Sequence, residues 1–337
     1  MTTKTELRAS KTQVGSTWAR VPWRRVGEQY SVPLALVVLL ICFSMLMPGI
    51  FLTGANLSTI MSTQAIMLML ALAVTVPLRT HNFDLSAAST MVLTSAIAAT
   101  GAVNGWGVWN SLLAGLGAAL LVGCLNGVLV IWLEVDSFIA TLAVGSVLTG
   151  ITYGLTNTTV ISIGSNELTR LFDAQLLGLP LAVWLSWILA VTLWVVFEFT
   201  PYGRLLLFVG GNREAARLAG VPVRGLAFST YVVVGALAGV AGAALLGTWA
   251  AVDPSVAPSF LLLPYAAAFL GAATIQVGRF NALGTVAALY LLAVGGNGLQ
   301  LMGADPWAAQ VFNGATLLGA VVFAQLVRKR FAGGSQP

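Results

Sequence analysis

The residues able to move protons, bind metals or hold phosphates are few and far apart. The single histidine, His81, sits between two apolar runs with no cluster of Cys, His or carboxylate at ligand or triad spacing around it. A phosphate-cradling loop needs Gly-x-x-x-x-Gly-Lys-Ser/Thr, and the lysines, Lys4, Lys11 and Lys329, all lie outside such a context. The chain is therefore expected to hold no catalytic, cofactor or metal site and to hydrolyse no ATP alone. Cys42 and Cys124 both fall in apolar runs and read as small buried hydrophobic residues, not as a disulfide or redox pair. What remains is a set of amides within apolar stretches, Gln64, Asn126, Asn297, Gln310 and Asn313. A buried amide needs hydrogen-bond partners, which a neighbouring helix or a polar solute can supply.

The elements that must hold these residues follow from composition. Hydrophobic residues make up 58% of the chain and charged residues 8%, with a mean hydropathy of +0.91, whereas a soluble domain carries roughly 25% charged residues. A water-soluble fold is excluded, because each charge at mid-bilayer costs at least about 2.5 kcal/mol on insertion scales and only a hydrocarbon solvent selects so strongly against it. The pI near 9.6 does not point to nucleic acid, since the basic residues are scattered among short connections. Membrane lipid is the expected surrounding.

A helical span needs about 20 mainly apolar residues. That rule gives Val32 to Met47, Leu57 to Pro77, Leu85 to Gly101, Asn110 to Leu133, Ser137 to Thr156, Leu179 to Phe197, Gly225 to Thr248, the shorter Phe260 to Ile275, Asn281 to Leu301, and Pro306 to Val327. None of these segments contains Lys, Arg, Asp, Glu or His. The predicted fold is an all-α polytopic helix bundle of about ten transmembrane helices with both termini cytoplasmic. It comprises a basic segment 1–31, a membrane domain 32–327 and a tail 328–337. With that topology only Arg170 among the 16 Lys and Arg falls outside, as the excess of basic residues in cytoplasmic loops demands. The first run follows a long basic leader and lacks a small-residue cleavage site, so a retained span is expected there. Gly123 and Gly127, Gly150 and Gly154, and Gly235 and Gly239 recur at the four-residue spacing that lets helix backbones approach closely.

Two hydrophilic connections are long enough to have a task, 157–178 outside and 200–224 inside. The inner one contains Gly210-Gly211-Asn212-Arg213-Glu214-Ala215-Ala216-Arg217-Leu218-Ala219-Gly220. Asn212 can cap a short helix, Glu214 lies in its first turn, Arg217 lies further along and Gly220 can end it. Such a helix, projecting from an inner connection with Leu218 and the alanines on one side, is suited to docking in a groove of a cytoplasmic partner.

That stretch and the apolar span after it resemble the ribose-type permeases of carbohydrate-importing ABC transporters. Asp84-Leu85-Ser86, Leu125-Asn126-Gly127, Phe138-Ile139-Ala140-Thr141-Leu142, Tyr202-Gly203-Arg204 and Asn297-Gly298-Leu299 resemble the family pattern in order, from about Asn56 onward. The resemblance implies that Asn212 to Gly220 is a coupling helix resting on a separate ATPase, which binds the ATP and its Mg²⁺. It also implies that two permease subunits enclose the solute path and that a sugar-binding protein docks outside. Glu167, Arg170 and Asp173 are the candidate docking residues. Gln64, Asn126, Asn297, Gln310 and Asn313 are the candidate path residues, with interhelical hydrogen bonding as the alternative use of each. Two departures, Glu134-Val135-Asp136-Ser137 before the fifth span and Gly271-Ala272-Ala273-Thr274-Ile275 after the eighth, leave the solute open, and with it the choice between homodimer and heterodimer. An ion-coupled secondary carrier is the alternative function and a membrane scaffold the third. The absence of ionisable residues within the spans weighs against the carrier.

Overall fold

Every apolar run whose residues are described forms a helix, because in hydrocarbon each backbone N–H and C=O must find its partner within the segment. The computed structural model describes residues 29–305, 307–316 and 318–319. The basic segment 1–31, apart from its last three residues, the tail 328–337 and the end of the tenth expected span lie outside the described residues.

In chain order the helices are α1 (Ser31–Leu46), α2 (Gly54–Leu78), α3 (Ala87–Val103), α4 (Val108–Gly127, extended by a π-helical turn Val128–Trp132), α5 (Ser137–Thr156), α6 (Glu167–Asp173), α7 (Leu181–Phe199), α8 (Pro201–Gly211), α9 (Arg213–Leu218), α10 (Val223–Trp249), α11 (Leu262–Ala272, entered through a 3₁₀ turn Ala257–Phe260) and α12 (Ala282–Leu301). Residues 307–316 are also helical. Strand β1 (Ile161–Ser162) pairs antiparallel with β4 (Ala251–Val252), and β2 (Gln175–Leu176) with β3 (Leu179–Pro180). Among the described residues, six helices, α2, α4 with its π turn, α5, α7, α10 and α12, are long and apolar enough to cross a membrane, while α1, α3 and Ala257–Ala272 are shorter apolar helices.

The helix ends carry their own caps. Thr53 accepts from Asn56 N, Asp136 from the N–H groups of Phe138 and Ile139, and Asn281 from Gly284 N. The third apolar run begins later than expected, at Ala87 and not Leu85. Asp84 accepts the Ser86 N–H at 3.0 Å, a local turn that competes with the first helical turn. Helix α2 forms the centre, buried from Ala65 to Leu78 except at Met67, and packs against α7, α10, α11 and α12.

The small-residue pairs separate. A Cβ on Gly123 would meet the Tyr231 carbonyl oxygen at 2.6 Å, and one on Gly235 would strike that of Ala119, so α4 and α10 touch backbone to backbone. Gly150 and Gly154 have open space beside them. Both cysteines are free, as expected, but not buried: Cys42 is exposed and Cys124 half-buried, because their positions fall on outer faces of α1 and α4.

Candidate functional site

The inner connection folds as two helices meeting at Asn212. Thr200 caps α8 by accepting from Gly203 N at 3.3 Å, with Pro201 at the first helical position, where its missing N–H is harmless. Leu206 and Val209 bury α8 against the bundle. Gly210 then passes so close to the Arg79 carbonyl oxygen that a Cβ would collide with it. Asn212 accepts from Ala215 N at 2.9 Å and opens α9. Gly220, at φ +79°, closes it, with its N–H donated to Arg217 O at 3.0 Å. The sequence therefore placed the start, the first-turn acid and the terminator of this helix correctly. Its apolar side is divided, since Ala216 is fully buried whereas Leu218 is 79% exposed. Glu214 and Arg217 pair at 2.7 Å while largely exposed, and Arg224 pairs with Glu134 at 3.2 Å.

Arg79, expected as a charge between spans, is buried. Its guanidinium lies 4.1 Å from the centre of the Phe197 ring, a cation–π contact. Its three side-chain nitrogens have no acceptor among the described residues.

Beyond Arg79, the non-helical stretch 80–86 turns into the bundle, where other helices satisfy its backbone. Phe83 N donates to Ser137 Oγ (3.1 Å), Asp84 N to the Tyr265 hydroxyl (3.1 Å) and Leu85 N to Thr141 Oγ1 (3.0 Å), and Phe83 O accepts from the Tyr231 hydroxyl (3.1 Å). The Asp84 carboxylate, 1% exposed, accepts the Ser86 hydroxyl at 2.6 Å and the Asn126 amide at 3.3 and 3.4 Å. Asn126 also donates to Ser86 Oγ at 2.7 Å. Irregular backbone buried this way is tolerated only when its polar groups are satisfied by protein.

Three sequence motifs thus meet: Asp84-Leu85-Ser86, Asn126 of the next and Thr141 of the third. Sequence reasoning missed this centre and its tyrosines. Asp84 with Ser86 two residues on is a readable turn signal, but Tyr231 and Tyr265 are too distant in the chain to be inferred.

Of the five amides, Asn126 donates to Asp84 and Ser86 of the non-helical stretch. Asn126 on α4, Gln64 on α2, Asn297 on α12 and Asn313 in 307–316 each hold a buried side-chain oxygen with no donor among the described residues. Gln310 is exposed. Helices α2 and α12 pack together.

In the connection 157–178, Asn166 caps α6 by accepting from the N–H groups of Leu168 and Thr169 while Thr169 Oγ1 accepts from Asn166 N, a reciprocal capping box. Leu168 and Phe172 bury α6 against the bundle, Phe172 filling the space beside Gly247. Glu167 Oε2 accepts from Trp109 Nε1 at 2.7 Å. Arg170 and Asp173 are exposed. Nearby, Asp253 is held below the usual carboxylate range by hydrogen bonds from the side chain and backbone of Ser255.

A bundle of apolar helices with embedded amides and a short capped helix at one end is the architecture of a multi-pass membrane protein. Residues 56–321 match the family described as the permease component of branched-chain amino acid transport systems, and the chain belongs to that family. It is similar to the ribose import permease protein RbsC of Escherichia coli K12, 32% identical over 88% of this chain and 92% of that one. Similar too are RbsC of Bacillus subtilis, 30% identical over 95% and 99%, and the L-arabinose transport system permease protein AraH of Escherichia coli K12, 28% identical over 90% and 93%.

Proposed function

We propose that this chain is the permease subunit of an ATP-driven importer in the bacterial inner membrane and carries a monosaccharide or related polyol through about ten spans, with both termini cytoplasmic. The similarity to a ribose import permease along 88% of the chain carries this reading. The chain itself is non-catalytic. A cytoplasmic ATPase supplies the energy, a sugar-binding protein delivers the solute, and a second permease subunit completes the path.

In this reading α9 is the coupling helix. Asn212 and Gly220 define its ends, Ala216 seats it, and Arg213, Glu214, Ala215 and Arg217 face the ATPase. Closure of the ATPase pair moves α9, and the bundle opens toward the docked binding protein. The unpaired oxygens of Gln64, Asn126, Asn297 and Asn313 are acceptors for sugar hydroxyls, with Gln310 at the rim, and the Asn126 side-chain nitrogen also positions the Asp84 stretch. Glu167, Arg170 and Asp173 meet the binding protein.

Co-expression followed by reconstitution into liposomes tests the reading. The expected result is an ATPase that co-purifies with this chain and uptake that requires internal ATP and the binding protein. Uptake by the chain alone, driven by an ion gradient, would replace it with a secondary carrier. A thermal-shift screen of sugars on the binding protein then identifies the cargo.

A further inference from the structure

Arg79 is the single buried cation among the described residues, 3% exposed, and its Nε and both terminal nitrogens lie in the interior without an acceptor there. A guanidinium whose donors are all unpaired is costly to bury, and attraction to the Phe197 ring offsets only part of that cost. The buried carboxylate of Asp84 is held differently, by hydrogen bonds from Ser86 and Asn126. Two charged side chains act on Arg79, Glu198 favourably and Arg279 unfavourably. Glu198 follows Phe197 on α7 and is half-buried, and its carboxylate also has no hydrogen bond or ion pair among the described residues. Successive residues of a helix point about 100° apart, so the setting that places the Phe197 ring against Arg79 turns Glu198 aside.

The corner that carries Phe197 and Glu198 is locked to α8. Thr200 Oγ1 donates to Val196 O at 2.5 Å and accepts from Gly203 N at 3.3 Å, and a Cβ on Gly203 would collide with the Phe197 carbonyl oxygen. At the other end of α8, Gly210 lies against the carbonyl oxygen of Arg79 itself. Helix α8 thus touches both partners of the cation–π contact, and any displacement of α8 changes how Phe197 and Glu198 face Arg79. We propose that Arg79 is a switch of the transport cycle: unpaired over Phe197 in this conformation, its guanidinium takes the Glu198 carboxylate in the opposite one, when α8 and the end of α7 move together. The proposal rests on the reading of the chain as an ATP-driven importer and names an ion pair that its movement makes and breaks. A carboxylate satisfies the guanidinium fork with two parallel hydrogen bonds, so leaving the present conformation relieves an unpaired charge. Phe197 keeps the step reversible, because its ring receives the cation when the pair breaks.

The test uses the purified complex of the permease with its ATPase. Arg79→Met replaces the buried charge by an apolar chain, which stabilises a site where the charge is unpaired and destabilises one where it is paired. The melting temperature of the permease in this variant is therefore expected to shift in opposite directions in the nucleotide-free complex and in the complex holding a non-hydrolysable ATP analogue with Mg²⁺. Shifts of the same sign in both would overturn the switch. In liposomes, Arg79→Met and Glu198→Gln should each cut ATP-driven uptake about tenfold, and the double substitution no further, since the two residues act as a pair. Arg79→Lys, which keeps the charge, should retain most of the uptake. Normal uptake in Glu198→Gln at equal amounts of assembled complex, or losses that multiply in the double substitution, would also overturn the proposal. A wild-type complex without ATP-driven uptake fails the importer reading and the switch with it, whereas the preceding outcomes fail the switch alone.

Discussion

Helices α6 and α9 share their local design and differ in how they are held. Each is short, capped by an asparagine, carries a glutamate in its first turn and an arginine in its last. Helix α6 buries Leu168 and Phe172, and its flanks are tied by the β1–β4 pair, by Ile163 N donating to Ala250 O at 2.9 Å and by Trp109 on Glu167. Helix α9 buries only Ala216, and two of its three long charged side chains, Glu214 and Arg217, bond each other. The seated element is α8, which carries α9 at its end. Asparagine caps thus begin both a firmly clamped helix and a loosely held one, the proposed lever, because burial of large apolar side chains anchors a short helix far more strongly than any cap.

That contrast can be broken at its strongest point. Phe172→Ala should empty the space beside Gly247 and cost about 3–5 kcal/mol, read as a lower melting temperature of the purified permease. A shift no larger than that of a surface substitution would mean that α6 is not clamped. Gly210→Val forces α8 off the Arg79 carbonyl and should cost about 1–3 kcal/mol by overpacking. The same variant should lose ATP-driven uptake, since it displaces the base of the lever.

The double substitution Glu214→Ala with Arg217→Ala separates function from stability. An exposed pair contributes at most about 1 kcal/mol, so the melting temperature should hardly move. Uptake should fall about tenfold to a hundredfold while ATP hydrolysis continues, as expected for a lost coupling of about 1–3 kcal/mol. Normal uptake at normal expression would count against the lever. Last, Trp109→Phe removes one hydrogen bond from the clamped helix α6, worth about 0.5–1.5 kcal/mol. A small melting shift with unchanged uptake is expected in the reconstituted assay, and a large loss of uptake would transfer the sensitive role to the outer face.

The helices were legible because span formation is additive over one stretch of chain: about 20 apolar residues suffice, whatever surrounds them. The cap at Asn212 was legible because its donor and acceptor lie within three residues. The amides of the path were legible only as candidates, since a sequence shows that Asn126 and Asn297 are embedded but not which of them finds a helical partner. The structure gives acceptors to the Asn126 side-chain nitrogen and leaves the oxygens of both Asn126 and Asn297 without a donor among the described residues.

The sequence alone thus determined a membrane-embedded helical chain and the local form of the short helix Arg213–Leu218. Only the tertiary structure decided that Asp84, Asn126, Thr141, Tyr231 and Tyr265 converge, that Arg79 is buried over Phe197, and that Gly123 meets α10 while Gly150 meets nothing. Those outcomes depend on which helix faces which. Hydropathy and capping act along the chain, whereas the hydrogen bond from Asp84 to Tyr265 joins residues 181 apart and exists only once the bundle has closed around it.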